Sequence, residues 1–320
     1  MNLSLLLENL TNPALLFFIL GIITVYVKSD LEIPPSTAKF ISLYLLFAIG
    51  FKGGQELAHE AFTAEILWAI IFGIGISVAV PIYTFFILRR KLNIYDSAAI
   101  AAAYGSVSAV TFVTAISYLE LQEMTFSGHM VAIMALMESP AIIAGMLLLA
   151  RFNKKEDNGT IKTKNVIHHS LTNGSVILIL GSLVIGFLSS DSQAAGLKPF
   201  TNDLFKGFLA IFLLDMGITS GKKLNTLFKQ GWFPFVFGVI IPLLNGIVVA
   251  YSSSMVTDSV SDRFMFAVLA ASASYIAVPA AMKIAVPKAN PGLYLPMALG
   301  VTFPVNITIG FPIYLYFASM

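Results

Sequence analysis

Long apolar runs, separated by short polar segments, follow one another along the whole chain. A helix that crosses a bilayer needs roughly 20 mostly apolar residues. Charged residues make up only 11% of the 320 residues, whereas a soluble domain has about 25%. So few charges do not cover a surface in water. The sequence therefore predicts an all-α polytopic membrane protein.

Ten of the runs are candidate membrane spans. They lie at residues 12–28, 36–51, 65–89, 96–119, 125–151, 167–190, 200–221, 232–253, 263–286 and 291–318. Several are short or have polar centres, so nine or eleven spans also fit. The segment 2–10 fits a short interfacial helix or the start of the first span. Residues 152–166 form the one long polar linker, between a first half (1–151) and a second half (167–320).

The positions of the basic residues predict the orientation in the membrane, because Lys and Arg concentrate in cytoplasmic loops. If the odd-numbered connections are cytoplasmic, these connections and the adjoining helix ends hold 15 of the 19 Lys and Arg, all but Lys52, Lys198, Lys206 and Arg263. Both termini are then outside and the linker is inside. This pattern predicts a multi-pass protein of the plasma membrane, which is the inner membrane if the source is bacterial.

Other classes of protein find no support. The net charge of +2 and the absence of cysteine give no reason to expect a nucleic-acid partner, a disulfide or thiol catalysis. The sequence has no phosphate loop, no Ser/His/Asp arrangement and no metal-ligand cluster, and His168 with His169 fits a solvated pair. We therefore expect neither an enzyme nor an organic cofactor.

Three stretches of the first half recur in the same order in the second half, at offsets of 163–168. Residues 46–57 match 213–224, residues 103–111 match 271–279, and residues 134–140 match 297–304. Since five spans is an odd number, two such halves lie in opposite orientations, which is the inverted repeat of many secondary transporters. Chance similarity between helices rich in small residues is the alternative.

Two of these stretches predict interrupted helices. Pro279, together with Ser272 and Ser274, lies in the middle of the ninth span, and the fourth span carries Gly105-Ser106-Val107-Ser108 followed by Thr111. Irregular backbone at membrane depth occurs only within protein or around a wet cavity. The free N–H groups of half-helices attract anions. Spans four and nine are therefore predicted to form one pocket for a small monoanion. The alternative is that these small residues only allow close helix packing.

Two acids within the spans are candidate ligands for a coupling cation, because buried acids in membrane helices are costly and usually functional. Glu138 precedes Pro140 in span five, and Asp215 lies in span seven. Asp215 also fits a role in pairing with a cation or capping a helix. Asn306 is predicted to orient a ligand, and Asn245 to join neighbouring helices by hydrogen bonds.

The same segments carry a resemblance to the sodium-dependent bicarbonate transporter family. The segments are IGFKGGQ (49–55), GSVSAVT (105–111), MESPAI (137–142), NDLFKG (202–207) and ASASYIAVP (271–279) with PKANPGLY (287–294). They extend from span two to span ten. NDLFKG and KANPGLY are the more specific matches.

The resemblance implies ten spans in two inverted five-helix repeats, with a core domain of crossed, broken helices four and nine and a gate domain. It also implies a homotrimer and Na⁺-coupled bicarbonate uptake. The implied anion site comprises Gly105, Ser106, Ser108, Ser274 and Ala277, to which we add the hydroxyls of Thr111 and Tyr275. The implied Na⁺ site lies near Ser272, Ser274 and Glu138, with Asn306 beside it.

The chain departs from the cyanobacterial members of that family in two places. Tyr275 stands where they have an acid, and Ala277-Val278-Pro279 replaces a Gly-Pro-Pro run. The linker is also shorter, which leaves binding of a PII-like regulator open. The predicted function is Na⁺ symport of bicarbonate by alternating access. The alternatives are a permease of the same fold for another small organic or inorganic monoanion, with or without H⁺ coupling, and a non-transporting membrane scaffold or sensor.

Overall fold

The computed structural model describes residues 13–60, 63–153, 174–228 and 231–320. Every regular element within these ranges is a helix. The segment 2–10, almost all of the linker 152–166, and the pair His168 and His169 lie outside the described residues, so the predictions made for them stay predictions.

The helices follow one another with short connections. In chain order they are α1 (Pro13–Tyr26), α2 (Pro35–His59), α3 (Ala64–Leu88), α4 (Ile94–Gly105), α5 (Ala109–Leu121), α6 (His129–Phe152), α7 (Gly174–Leu188), α8 (Asp191–Ala195), α9 (Phe205–Phe228), α10 (Trp232–Ser252), α11 (Val260–Ala271), α12 (Ala277–Ala285), α13 (Pro291–Pro296), α14 (Phe303–Val305) and α15 (Phe311–Ala318). Wider π-helical turns join α13 to α14 and α14 to α15, so that the last three helices form one rod.

Six helical segments within the described ranges are long and apolar enough to cross a membrane. They are α3, α4 with α5, α6, Pro199–Leu224, Trp232–Met255 and Pro291–Ala318. The shorter apolar helices α1 and α7 correspond to predicted spans one and six. Large apolar side chains on these helices are exposed, including Trp68, Leu188 and Val248, as expected for surfaces that contact lipid. The chain is therefore a multi-pass membrane protein.

Burial separates the inner helices from those that face lipid. In the segment formed by α4 and α5, 89% of the central residues are buried, compared with 33% in α3. The polar residues at the centre of span four thus lie inside protein rather than in contact with lipid. Because unpaired backbone is tolerated at this depth only inside protein, the interior is where an interrupted helix can persist.

Two helix pairs come together through glycines. Helix α2 packs along α7, and α9 packs along α1. A Cβ atom on Gly54 would overlap the backbone of Leu183 and Phe187, and one on Gly217 would overlap the backbone of Phe18 and Gly21. Only glycine allows such close approach of two backbones.

The first turns of α4 and α11 hold two loops by matching contacts. Asp96 in α4 accepts a hydrogen bond from the backbone N–H of Asn290 at 2.6 Å. Asp262 in α11 accepts one from the backbone N–H of Ser127 at 2.8 Å and another from the Ser127 hydroxyl at 2.6 Å. An acid in the first turn also interacts favourably with the helix dipole. Each loop leads into a long helical rod, α13–α15 in the first case and α6 in the second.

Candidate functional site

Helices are interrupted at both places where the sequence predicts a break. Helix α4 ends at Gly105, and α5 begins at Ala109. Helix α11 ends at Ala271, and α12 begins at Ala277. Pro279 lies in the first turn of α12, a position in which its missing N–H costs no helical hydrogen bond. Each break thus leaves a half-helix that starts inside the protein.

The two breaks contact each other directly. The backbone N–H of Ser108 donates to the Oγ of Ser272 at 2.9 Å. In the other direction, the backbone N–H of Ser274 donates to the carbonyl oxygen of Ala103 at 2.8 Å. These bonds satisfy backbone groups that the breaks would otherwise leave unpaired in a dry interior.

A serine hydroxyl accepts a hydrogen bond from the first turn of each inner half-helix: Ser108 is the N-cap of α5, and Ser274 lies two residues before the N-cap of α12. The Oγ of Ser108 accepts from the N–H of Thr111 at 3.2 Å at the start of α5. The Oγ of Ser274 accepts from the N–H of Val278 at 3.3 Å at the start of α12. Serine is a favoured N-cap residue, but it satisfies only part of the first turn. The remaining N–H groups and the positive ends of both helix dipoles attract negative charge.

A small cavity lies where α5 and α12 begin. Its volume is about 40 Å³, and its polar lining comes from Ser108, Glu138, Ser274 and Tyr275. Ala109, Val110 and Ala277 contribute from the first turns of the two half-helices. One water needs about 10–15 Å³ by this measure. The cavity therefore accommodates about three waters, or an anion of three or four heavy atoms.

Two hydroxyl groups at the breaks are buried without a hydrogen-bond partner among the described residues. They are the Oγ of Ser106 and the phenol oxygen of Tyr275. Ser108 is a polar neighbour of Tyr275, but their contact does not have hydrogen-bond geometry. An unpaired buried hydroxyl costs free energy, so such groups indicate where a ligand would bind. The Tyr275 hydroxyl belongs to a residue that lines the cavity.

Glu138 is the carboxylate that lines this cavity. It lies on α6 and is half-buried, and part of its surface lines the cavity. No ion pair to Glu138 is formed by the residues that the structure describes. Asp215 lies on α9 and interacts electrostatically with Lys222 and Tyr275, but it is not part of the cavity lining.

The predicted site residues divide into two groups. Ser108, Ser274, Tyr275, Ala277 and Glu138 line the cavity, whereas Gly105, Ser106, Thr111, Ser272 and Asn306 do not.

The residues outside the lining have contacts that explain their positions. A Cβ on Gly105 would overlap the ring of Pro81 in α3, so this glycine allows close helix packing. The amide of Asn306 donates to the carbonyl oxygen of Ala271 at 2.8 Å, at the end of α11. Asn245 joins α10 to its neighbours, as predicted, since it donates to the Ala270 carbonyl and accepts from Tyr83.

The apolar part of the lining was not predicted from the sequence. Leu46 of α2 and Ile179 of α7 face the two breaks across the cavity. Nothing in their sequence context distinguishes them from residues that face lipid. The matching pair Asp96 and Asp262 was also missed, although their spacing of 166 residues and their places in a first helical turn are readable from the sequence.

A second and larger cavity lies beside the first. Its volume is about 550 Å³, and its lining includes Ala48 and Ile49, which follow Leu46 along α2. Glu120 at the end of α5 makes ion pairs there with Lys52 of α2, at 3.6 Å, and with Lys206 of α9, at 3.1 Å. One carboxylate thus connects α5 with both α2 and α9.

Comparison with known proteins identifies a family. A family model described as the Na⁺-dependent bicarbonate transporter superfamily matches residues 13–319. A search of the curated proteins found no match. The matched region contains both helix breaks, the two cavities and all of the candidate site residues.

Proposed function

Because the chain belongs to the Na⁺-dependent bicarbonate transporter superfamily, we propose that it is a secondary active transporter that carries bicarbonate together with Na⁺ by alternating access. Na⁺ and bicarbonate are both cargo in this proposal. The observation that carries it is that two helix N-termini, each with a serine hydroxyl bonded to its first turn, meet at a cavity that a carboxylate also lines.

The cavity offers each ion the groups that it needs. Bicarbonate has four heavy atoms and one negative charge, and it would accept hydrogen bonds from the free N–H groups of α5 and α12 and from the Tyr275 phenol. Na⁺ prefers oxygen ligands, and Glu138 supplies a charged oxygen ligand beside the serine hydroxyls. Binding both ions side by side lowers the free-energy cost of burying each one, because opposite charges attract strongly in a medium of low dielectric constant.

The inverted repeat is also our proposal, and the pattern of helix contacts supports it. In the repeat, α2 of the first half corresponds to α9 of the second half, and α1 corresponds to α7. The contact between α2 and α7 therefore has a counterpart in the contact between α9 and α1, and both pairs are in close contact. In the same way, the contact of Asp96 with Asn290 has a counterpart in that of Asp262 with Ser127, at offsets of 166 and 163. Such internal symmetry is the basis of alternating access in many transporters.

In this mechanism, α1, α2, α7 and α9 form the gate domain, and the remaining long helices form the core domain. The glycine contacts of the gate helices favour a rigid scaffold. The core would carry the two breaks and their cargo past this scaffold. We also propose that the protein is a homotrimer. Native mass spectrometry of the detergent-solubilised protein should then give three times the mass of one chain.

The orientation in the membrane is proposed from the distribution of basic residues. Since the chain has no cysteine, single cysteines introduced at Arg90 and Ser190 report on accessibility without background labelling. A maleimide that does not cross membranes is expected to label Ser190→Cys in intact bacterial cells and Arg90→Cys only after permeabilisation. The opposite pattern would reverse the proposed orientation.

Flux measurements test the function. Purified protein in liposomes is expected to take up radiolabelled bicarbonate when an inward Na⁺ gradient is present, and a K⁺ gradient of the same size serves as the control. Uptake that follows a proton gradient instead would favour H⁺ coupling. Uptake of another monoanion in place of bicarbonate would favour a permease of the same fold, and no flux with any anion would favour a scaffold or sensor.

A further inference from the structure

Four basic side chains lie together at one end of α3 and α6. They are Arg89, Arg90 and Lys91, which follow α3, and Arg151 in the last turn of α6. We call these four residues the basic cluster. All four are exposed. Helices α3 and α6 pack against each other along their length, so the cluster is a continuous feature of one surface.

Aromatic rings hold part of the cluster in place. The guanidinium carbon of Arg89 lies 4.8 Å from the centre of the Phe152 ring and 5.7 Å from that of Phe86. The guanidinium of Arg151 lies 5.8 Å from the same Phe152 ring. An arginine stacked on a ring is held in position, yet its N–H donors remain available for an acceptor.

Within the described ranges, no acid balances the charge of the cluster. No member of the cluster forms an ion pair with any residue in the described ranges. The acid in the neighbouring turn, Asp96, is buried, and its two oxygens accept from Asn93 and Asn290. Among the residues that the structure describes, the guanidinium and ammonium groups of the cluster therefore have no acidic partner.

The position of the cluster along the two helices indicates the source of an anionic partner. Ile82, Phe86 and Ile87 of α3 and Leu147 of α6 are exposed apolar residues within the two turns that lead to the cluster. The cluster thus lies where the lipid-facing surface of α3 and α6 ends, which is the depth of the lipid headgroups.

We propose that the basic cluster is a binding site for the phosphate group of an anionic membrane lipid. Guanidinium groups bind phosphate oxygens through paired hydrogen bonds, and the apolar surfaces of α3 and α6 would contact the acyl chains.

Lipid binding to the purified full chain tests the proposal independently of transport. Native mass spectrometry would compare phosphatidylglycerol with phosphatidylcholine of the same acyl chains. The test variant is Arg89→Gln/Arg90→Gln/Arg151→Gln. The control variant, Lys28→Gln/Lys39→Gln/Lys198→Gln, removes the same charge from exposed lysines elsewhere. A second test variant, Arg90→Gln/Arg151→Gln, leaves the stacked Arg89 intact in case its loss affects folding.

We expect phosphatidylglycerol to bind the wild type and the control variant in preference to phosphatidylcholine. Each removed cation of the cluster should weaken this binding about fivefold. Equal binding of the two lipids by the wild type, or an equal loss in the control variant, would overturn the proposal, because the cluster would then act only in orienting the chain during insertion. Inorganic phosphate that displaces the lipid at millimolar concentration would identify free phosphate as the ligand and would also overturn it.

Discussion

The backbone N–H of Ser108 donates to the hydroxyl of Ser272 at 2.9 Å, across 164 residues of sequence. This bond joins the break in the first half of the chain to the break in the second half. The Ser272 hydroxyl itself donates to the Leu269 carbonyl at 2.9 Å, so its orientation is fixed. The two half-helices therefore hold each other at the cavity.

Ser272→Ala is expected to weaken both fold and transport, because it leaves the Ser108 N–H buried without a partner. Such a loss costs about 1–3 kcal/mol. The midpoint of thermal unfolding in detergent and the rate of bicarbonate flux measure the two effects. Ser254→Ala is the control, since Ser254 is exposed and bonds only its own helix end. An unchanged midpoint and flux in Ser272→Ala would show that this link is dispensable.

Glu138→Gln is expected to reduce the dependence of transport on Na⁺, because the amide has the same shape but no negative charge. We expect the Na⁺ concentration for half-maximal uptake to rise at least about tenfold, which corresponds to ~1.4 kcal/mol. Glu65→Gln, at the exposed start of α3, controls for loss of an acid. Wild-type Na⁺ dependence in Glu138→Gln would exclude this carboxylate from the cation site.

Tyr275→Phe tests whether the Tyr275 hydroxyl binds bicarbonate or only stabilises the fold. The phenol oxygen has no hydrogen-bond partner among the described residues, so its removal should leave the unfolding midpoint unchanged or slightly higher. The KM for bicarbonate should nevertheless rise at least about tenfold, because a hydrogen bond to a charged ligand is worth about 1.5 kcal/mol or more. Tyr251→Phe, at an exposed position, is the control. A lower midpoint without a change in KM would indicate a structural role.

Gly54→Ala is expected to destabilise the contact between α2 and α7, because the new methyl group would overlap the backbone at Leu183 and Phe187. Overpacking of this kind costs about 1–3 kcal/mol. Gly75→Ala provides the matched control, since a Cβ on Gly75 has no atom within 4 Å. That variant should be neutral or more stable by up to about 1 kcal/mol. Equal unfolding midpoints for the two variants would refute the close packing.

Glu120→Gln tests whether the ion pairs beside the larger cavity limit transport. If the core moves past the gate, the pairs with Lys52 and Lys206 must break in every cycle. Each exposed pair is worth about 0–1 kcal/mol and is screened by salt. We expect the variant to be up to about fivefold faster at low ionic strength, with a difference that disappears at high ionic strength. Glu123→Gln, in the turn that follows α5, is the control. If Glu120→Gln had the same salt dependence as the wild type, the ion pairs would not limit transport.

Much of the architecture was predictable because membrane depth makes polar backbone and Pro exceptional. Pro279 and the serines around it marked the breaks, and the structure places both breaks within the predicted segments. The apolar runs located most of the helices within a few residues, but α2 ends at His59 and α9 at Phe228, eight and seven residues beyond the predicted ends of their spans. The count of ten spans goes beyond the six that meet the criteria of length and composition. Of the other four, α1 and α7 are short, α2 does not meet the criteria, and the ninth run is divided into α11 and α12.

The lining of the cavity was less predictable, because it depends on the rotation of each helix about its axis. Asn306 is close to the breaks, but it bonds the end of α11 rather than facing the cavity. Leu46 and Ile179 face the cavity although they resemble lipid-facing residues. Gly105 proved to accommodate Pro81, a distant residue that no local pattern connects with it.

The single carboxylate in the small cavity has a consequence for the energetics of a transport cycle. In the matching stretch of the second half, the residue two positions before the proline is Thr302, which is uncharged and bonds Gly238. A core with Glu138 alone would bind one monovalent cation with one monovalent anion, so its net charge would be the same loaded and empty. Moving one elementary charge across a membrane potential costs about 2.3 kcal/mol per 100 mV. An electroneutral cycle avoids this cost, and uptake would then be independent of membrane voltage and driven by the sodium gradient alone.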